Sequence, residues 1–129
     1  MNNPPRNLPL ISILGFLAVA FGAFGSHSLK NLLDPEHYHA WQTAVEYQFF
    51  HILALFLCSY LPLKRKRFQR PEFWFLLGII CFSGSLYLLS ILSLSPMHLG
   101  FLGIFTPIGG LFFLLGWICL GLNSKWSNE

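Results

Sequence analysis

The sequence predicts an all-α membrane protein, a bundle of four transmembrane helices that forms one domain over residues 1–129. Only 10% of the residues are charged and 54% are hydrophobic, whereas globular proteins carry about 25% charged residues. Charge this sparse makes membrane the default class and argues against a soluble domain. Four apolar runs are each long enough to cross a bilayer as a helix. The predicted spans are about 8–26, 41–61, 73–92 and 99–122.

The first span carries small residues at helical spacing. Ala18, Gly22 and Ser26 are spaced by four, and intervals of three and four connect Gly15, Ala18, Gly22 and Gly25. Small residues at this spacing let membrane helices approach closely, so we predict a packing face on this helix. A cleaved signal peptide with Arg6 in its basic region is the alternative, but the apolar run is longer than the usual core of a signal peptide.

The second span follows a helix-start signal. Asp34 is a typical N-cap residue, and Pro35 suits the first helical position. We predict that a short interfacial helix begins near Pro35 and that the chain enters the bilayer near Trp41. Trp and Tyr favour the membrane interface, where this prediction places Tyr38 and Trp41.

The third and fourth spans contain helix-packing and helix-bending residues. Ser83-Gly84-Ser85 in the third span has no base beside it in sequence and indicates close helix packing. Thr106-Pro107 lies within the predicted fourth span, and a proline inside a helix removes a backbone hydrogen bond. We therefore expect a kink in the fourth helix at Pro107.

The basic residues are distributed unevenly relative to the four predicted spans. Seven of the eight fall on the side that holds both termini and the loop between the second and third spans: Arg6, Lys64, Arg65, Lys66, Arg67, Arg70 and Lys125. Only Lys30 falls on the other side. The positive-inside rule therefore places the N and C termini in the cytoplasm. The N-terminus is not an Arg-rich amphipathic segment, which favours a bacterial plasma (inner) membrane over a mitochondrial one.

Polar side chains on the second span and its expected neighbours form a candidate ligand or polar-network site. They are Glu46, His51, Tyr47, Gln48, Tyr87, Ser83, Thr106 and His27. Ionisable groups near the centre of a bilayer cost about 2.5–3.5 kcal/mol on insertion scales, so they normally face protein or water and have a partner. Glu46 is expected about 7–8 Å below the interface and His51 about 15 Å below it. One arrangement that satisfies these groups is a hydrogen-bond network among Glu46, His51, Tyr87 and Thr106.

Two interpretations of this site stay open. In the first, the network only fixes the packing of the four helices. In the second, Glu46 and His51 form a proton- or ligand-binding site, and a polar cavity from the outer face reaches His51. The two residues are separated by about 140° around the helix axis, so the second helix would need neighbours on two sides.

Other site chemistries find little support in the sequence. The spacing of His37 and His39 does not match helical metal motifs, so we predict no metal site and no cofactor. Haem ligation by two histidines would require a second histidine at the depth of His51. The three cysteines lie within apolar runs and indicate small apolar side chains rather than disulfides. No catalytic triad or phosphate-binding loop is present, which leaves enzymatic activity open and favours its absence.

Four sequence blocks together resemble a known family. They are FGAFGSHSL (Phe21–Leu29), EYQFFHILAL (Glu46–Leu55), FSGSLYLLS (Phe82–Ser90) and TPIGGLFFLLGW (Thr106–Trp117). In this order they are similar to the YgdD-like small membrane proteins, the domain-of-unknown-function 423 family, which is similar to eukaryotic transmembrane protein 256. The resemblance covers about residues 14–117. It implies a four-helix protein of the inner membrane, and it supplies no established activity, substrate or catalytic residue.

These observations predict a small polytopic inner-membrane protein that acts without catalysis, by packing against itself or another membrane component. Its predicted partners are the lipid bilayer and either a second copy or another membrane protein. A basic run in a soluble protein would suggest nucleic acid, but between two spans it is a topological signal, and we predict no nucleic-acid partner. The alternative is a small transporter, or a ligand- or proton-binding protein, that uses Glu46 and His51.

Overall fold

The structure is a computed structural model that describes residues 3–5, 7–63 and 66–125. These residues form four long helices: α1 (Leu8–His27), α2 (Pro35–Cys58), α3 (Pro71–Leu92) and α4 (Phe105–Lys125). Short 3₁₀ turns precede the last three helices at Leu29–Asn31, Arg67–Gln69 and Gly100–Ile104. Three of the basic residues used to predict the orientation lie outside the described residues: Arg6, Lys64 and Arg65. The tail at 126–129 also lies outside them.

Three helices of the described part are long and apolar enough to cross a membrane: Leu8–His27, Pro71–Leu92 and Gly100–Asn123. The α2 helix is not among them, because polar residues such as Glu46, Gln48 and His51 lower its hydropathy. With 24 residues, α2 is about 36 Å long, which suffices for one crossing.

The start of α2 depends on Asp34. Its carboxylate accepts the backbone N–H of His37 at 3.0 Å, as predicted for an N-cap residue, and this hydrogen bond lowers the pKa of Asp34. The helix then continues without a break to Cys58, so the predicted short interfacial helix is instead the first part of α2. The physical reason is that no glycine and no second proline follows Pro35 within this stretch.

Each helix packs chiefly on its sequence neighbours: α1 on α2, α2 on α3, and α3 on α4. Neighbouring helices run antiparallel, since contacts between α2 and α3 pair early residues of one with late residues of the other. Ser90 contacts His37, whereas Phe75 contacts His51. One end of the bundle therefore holds the start of α1, the end of α2, the start of α3 and the end of α4. We call it the basic end, because Arg67 and Arg70 lie there.

Glycines and phenylalanines interlock the α3–α4 interface. A Cβ atom at Gly78 would clash with the Phe113 ring, and one at Gly116 would lie 2.5 Å from the Phe75 ring. Each helix thus receives an aromatic ring from the other at a position without a side chain. Phe75 and Phe113 are 0% and 4% exposed, so this contact forms the centre of the core.

The middle of α3 is a π-helical turn, Ile79–Ser83, in which the N–H of Gly84 bonds to the carbonyl of Ile79. This wider turn lies against Gly109 of α4, where an added Cβ would clash with the backbone of Phe82. Close approach of two helix backbones in lipid requires a residue of this size.

The predicted small-residue face of α1 packs on α2 at some of its positions. Ala18 is fully buried, and a Cβ at Gly25 would lie 2.6 Å from the Trp41 ring. Gly15 belongs to the same spacing but has no neighbour within 4 Å of an added Cβ. The Trp41 side chain, predicted to lie at the depth of the membrane interface, is 4% exposed and packs inside the bundle.

The structure places Pro107 at the start of α4 rather than inside it, so the reason for expecting a kink there does not apply. The α4 helix begins at Phe105, so Pro107 lies in its first turn. Backbone N–H groups in a first turn have no partner within the helix, and a proline there removes no hydrogen bond.

The contact at Gly109 predicts a measurable loss of stability. Gly109→Ala should lower the free energy of unfolding by about 1–3 kcal/mol, because the new methyl group must displace the Phe82 backbone. Thermal unfolding in detergent micelles, followed by circular dichroism, measures the effect. Gly15→Ala is the matched control and should be neutral or stabilising, because alanine favours the helix. Equal stability of the two variants would contradict this account of the α3–α4 interface.

Candidate functional site

Gln48 joins three helices near the middle of the bundle. Its side chain is 3% exposed; Nε2 donates to the carbonyl of Leu14 on α1 at 2.9 Å, and Oε1 accepts the hydroxyl of Tyr87 on α3 at 2.8 Å. The Tyr87 ring also packs edge-on against Trp41, with ring centroids 4.7 Å apart. Gln48 and Tyr87 therefore form an architectural hydrogen-bond pair.

Serines of α3 bond to both neighbouring helices. Ser83 donates to the carbonyl of Ala44 on α2 at 2.8 Å, and Ser85 shares a 2.6 Å hydrogen bond with Thr106 of α4. Ser90 donates to the carbonyl of His37 at 3.0 Å. The segment Ser83-Gly84-Ser85 thus contributes to helix packing, as the sequence indicated.

The His51 ring is buried and bonded at both nitrogens. Its Nδ1 lies 2.8 Å from the carbonyl oxygen of Tyr47, which can only accept a hydrogen bond. The indole N–H of Trp117 on α4 lies 3.2 Å from Nε2 and can only donate. The ring stacks on Phe113 with centroids 3.6 Å apart and an interplanar angle of 7°. These contacts require a neutral imidazole that carries its proton on Nδ1.

A lateral groove of about 730 Å³ lies between α2 and α4. Its walls are predominantly apolar and aromatic, and Tyr47 stacks on Phe82 at 4.5 Å within it. It is lined by Glu46, Tyr47, Phe50, His51, Phe82, Pro107, Gly110, Leu111, Phe113, Leu114 and Trp117. Glu46 is exposed, and the described residues give its carboxylate no hydrogen bond and no ion pair. The groove reaches the edge of the His51 ring. It opens at the side of the bundle between apolar walls, whereas the predicted cavity was polar and opened at the outer face.

The structure separates the residues that the sequence placed in one network. Glu46 lines the groove, His51 bonds to Trp117, Tyr87 bonds to Gln48, and Thr106 bonds to Ser85. His27 is exposed at the end of α1, and the described residues give it no hydrogen bond to any of them. The described residues contain no group of three or more side chains that could hold a metal ion, and the cysteines Cys58, Cys81 and Cys119 are free thiols.

The partners of His51 were not identified from the sequence. Trp117 did carry a signal, because an indole N–H inside a membrane span requires an acceptor, and His51 is the acceptor at a matching depth. Phe113 carried none, since one phenylalanine among 14 has no distinguishing feature.

The family model described as "Protein of unknown function (DUF423)" matches residues 21–110. The chain belongs to the DUF423 family. It is 38% identical over 121 residues to a UPF0382 membrane protein of Haemophilus influenzae, which covers 92% of this chain and 93% of the relative. It is 37% identical to the UPF0382 membrane protein YwdK of Bacillus subtilis, over 84% of this chain and 87% of the relative. The UPF0382 inner membrane protein YgdD of Escherichia coli is 39% identical over 82% of this chain and 79% of the relative.

No solved structure matches the chain. The family relationship and the three apolar helices together confirm the membrane localisation predicted from the sequence. The DUF423 relationship confirms the family resemblance and brings no activity with it.

The hydrogen bond between Gln48 and Tyr87 predicts that the stability effects of substitutions at these two residues are not additive. Tyr87→Phe should destabilise the protein by about 0.6–1.7 kcal/mol, the range for hydrogen bonds between membrane helices, measured by unfolding in detergent. In a Gln48→Leu background the same substitution should cost nothing more, because the acceptor is already lost. Tyr60→Phe is the control, since Tyr60 is 62% exposed. Additive costs in the double variant would contradict the pairing.

The contacts of His51 predict its tautomer. Nitrogen-15 NMR of histidine-labelled protein at neutral pH should show His51 protonated on Nδ1 and unprotonated on Nε2, with the resonances assigned by their absence from His51→Leu. Trp117→Phe removes the donor and should shift the Nε2 resonance while Nδ1 keeps its proton. A proton on Nε2 in the native protein would contradict this geometry.

Proposed function

We propose that this DUF423 protein crosses an inner membrane four times, with both termini in the cytoplasm. The α2 helix packs between α1 and α3 and runs antiparallel to both, which favours a common path through the bilayer. Gln48 and His51, two polar residues near the middle of α2, are each 3% exposed and therefore face protein rather than lipid. The positive-inside rule supports the orientation, and the name of the E. coli relative supports the inner membrane.

We propose further that the protein acts without catalysis, by binding an amphiphile in the groove between α2 and α4. The observation that carries this proposal is Glu46, a carboxylate without a partner among the described residues, beside apolar walls that face the lipid. An ionisable group at membrane depth is a marker of a functional site. The complementary ligand has one apolar chain and a headgroup that donates hydrogen bonds, such as an ammonium group.

The size of the groove favours a chain over a helix as its occupant. The lining extends from Pro107 to Trp117, which is about 15 Å along α4 at the rise of a helix. A volume of about 730 Å³ over that length corresponds to a mean cross-section of about 50 Å². A helix with side chains is about 10–12 Å across, or roughly 80–110 Å² in section. A hydrocarbon chain fits inside the groove, whereas a helix would lie over its mouth.

The contacts of His51 argue against a proton-handling role for this residue. Its two nitrogens already have one acceptor and one donor as partners, Tyr47 and Trp117. A second proton on the ring would face the indole N–H of Trp117. The alternative hypothesis was a protein that binds a proton or a ligand at Glu46 and His51. In its ligand-binding version, binding therefore depends on Glu46 and the groove.

The self-packing hypothesis depended on the small-residue face of α1. Ala18 and Gly25 of that face contact α2 within the same chain, which leaves less of it for a second copy. Occupation of the groove by a second copy, or by a helix of another protein, is an outcome that the following experiment detects.

Native mass spectrometry of the full-length protein in detergent, with dodecylamine or dodecanoate added, tests the proposal. Dodecylamine should bind about tenfold more tightly than dodecanoate, because only its headgroup donates charge-assisted hydrogen bonds to Glu46. Glu46→Gln should remove this preference. Equal binding of the two amphiphiles to the native protein would overturn the proposal.

A glycine pair separates occupation of the groove from general adsorption of the amphiphile. Gly110→Leu should abolish binding, because Gly110 lines the groove and the nearest atom to an added Cβ is 4.0 Å away, which leaves room for the new side chain. Gly15→Leu on α1 should retain binding. A dimer that is lost in Gly110→Leu would assign the groove to a second copy instead.

A further inference from the structure

A second cavity, of about 540 Å³, lies at the basic end of the bundle. It is formed by the segment before α1, the end of α2 and the start of α3. Its lining residues are Pro5, Asn7, Cys58, Ser59, Leu61, Leu63, Arg70 and Glu72. None of them lines the groove between α2 and α4, so the two sites are distinct.

Glu72 is the buried charged group of this cavity. It is 5% exposed, and its Oε1 accepts a hydrogen bond from Arg70 at 3.1 Å. Its Oε2 is buried and has no hydrogen-bond partner among the described residues. Leaving a buried charged acceptor unpaired is costly. The terminal torsion of a glutamate rotates readily, so a small rotation would present this oxygen to a donor in the cavity.

Arg70 gives the same cavity a set of donors. A guanidinium has five N–H groups, and the described contacts of Arg70 commit one of its nitrogens to Glu72. The Arg70 side chain is 43% exposed, so further N–H groups are available to a ligand. The cavity therefore offers a carboxylate acceptor and a guanidinium donor side by side.

This pairing restricts the chemistry of the ligand. A simple anion would leave the Glu72 oxygen unsatisfied, and a simple cation would be repelled by Arg70 and the basic segment around it. A zwitterion that carries an ammonium and a phosphate group satisfies both residues, because guanidinium groups bind phosphate and carboxylates bind ammonium. The cavity lies at the ends of the helices, which is the depth of lipid headgroups in a four-span protein.

We propose that this cavity binds the ammonium–phosphate headgroup of an aminophospholipid, with the ammonium on Glu72 and the phosphate on Arg70. This proposal is independent of the groove, because the cavity is lined by residues at the end of α2 and the start of α3. The same zwitterion also occurs as the free compound glycerophosphoethanolamine, which the experiment distinguishes from the intact lipid.

Native mass spectrometry of the full-length protein with defined phospholipids tests the proposal without altering the protein. Phosphatidylethanolamine should bind about tenfold more tightly than phosphatidylcholine, whose trimethylated nitrogen has no N–H to donate to Glu72. Phosphatidylglycerol, which lacks the ammonium group, should also bind more weakly. Equal affinities, or a preference for phosphatidylglycerol, would overturn the proposal.

Two matched variants test which site is responsible for the preference for phosphatidylethanolamine. Glu72→Gln keeps the acceptor for Arg70 and removes the charge, and it should abolish the preference for phosphatidylethanolamine. Glu46→Gln leaves the lining of this cavity unchanged and should retain that preference. Loss of the preference in Glu46→Gln but not in Glu72→Gln would assign headgroup recognition to the groove and overturn this inference.

Competition with glycerophosphoethanolamine identifies the source of the ligand. If the soluble zwitterion displaces phosphatidylethanolamine from the native protein, headgroup recognition is sufficient for binding. If the preference for the ethanolamine lipid persists without displacement, the site takes the intact lipid. Both results support the assigned chemistry, and they separate its two sources.

Discussion

A polar group within a bilayer has no water to bond, so it must find its partner inside the chain. This constraint determines how α2 and α3 sit among their neighbours. Gln48 reaches Leu14 on one side and Tyr87 on the other, and Ser83 bonds to the backbone of α2. Each bond fixes the rotation of a helix about its own axis. Gln48 and His51, which lower the hydropathy of α2, are therefore among the residues that position it.

The second interface depends on shape. Between α3 and α4, phenylalanine rings enter the spaces left by glycines, and the π-helical turn of α3 meets Gly109. Because α3 lies between α2 and α4, those two helices approach each other only through side chains, such as the bond from Trp117 to His51. The lateral groove is the consequence of this arrangement. Its aromatic walls come from the core itself, and Glu46 is the acidic residue among the described residues that line it.

The two glutamates on which the binding proposals depend lie at different levels of the bundle: Glu46 near the middle of α2, and Glu72 at the basic end. Glu46 is exposed on α2 beside apolar walls, whereas Glu72 is buried at the start of α3 beside Arg70. Neither contributes to the packing network that holds the helices together. Both binding proposals rest on this difference between polar groups that join helices and carboxylates whose hydrogen bonding is incomplete.

The membrane class, the helix start at Asp34 and part of the packing face of α1 could be predicted from the sequence, because they follow from composition and local spacing. The family followed from the resemblance of four sequence blocks. The sequence also identified Gln48, Ser83, Tyr87 and His51 as groups that need partners. Their partners became apparent only from the packing of the helices. A helical period fixes the direction of a side chain on its own helix, but the depth and rotation of the facing helix depend on packing. Trp117 for His51, and the burial of Glu72 beside Arg70, are therefore properties of the fold.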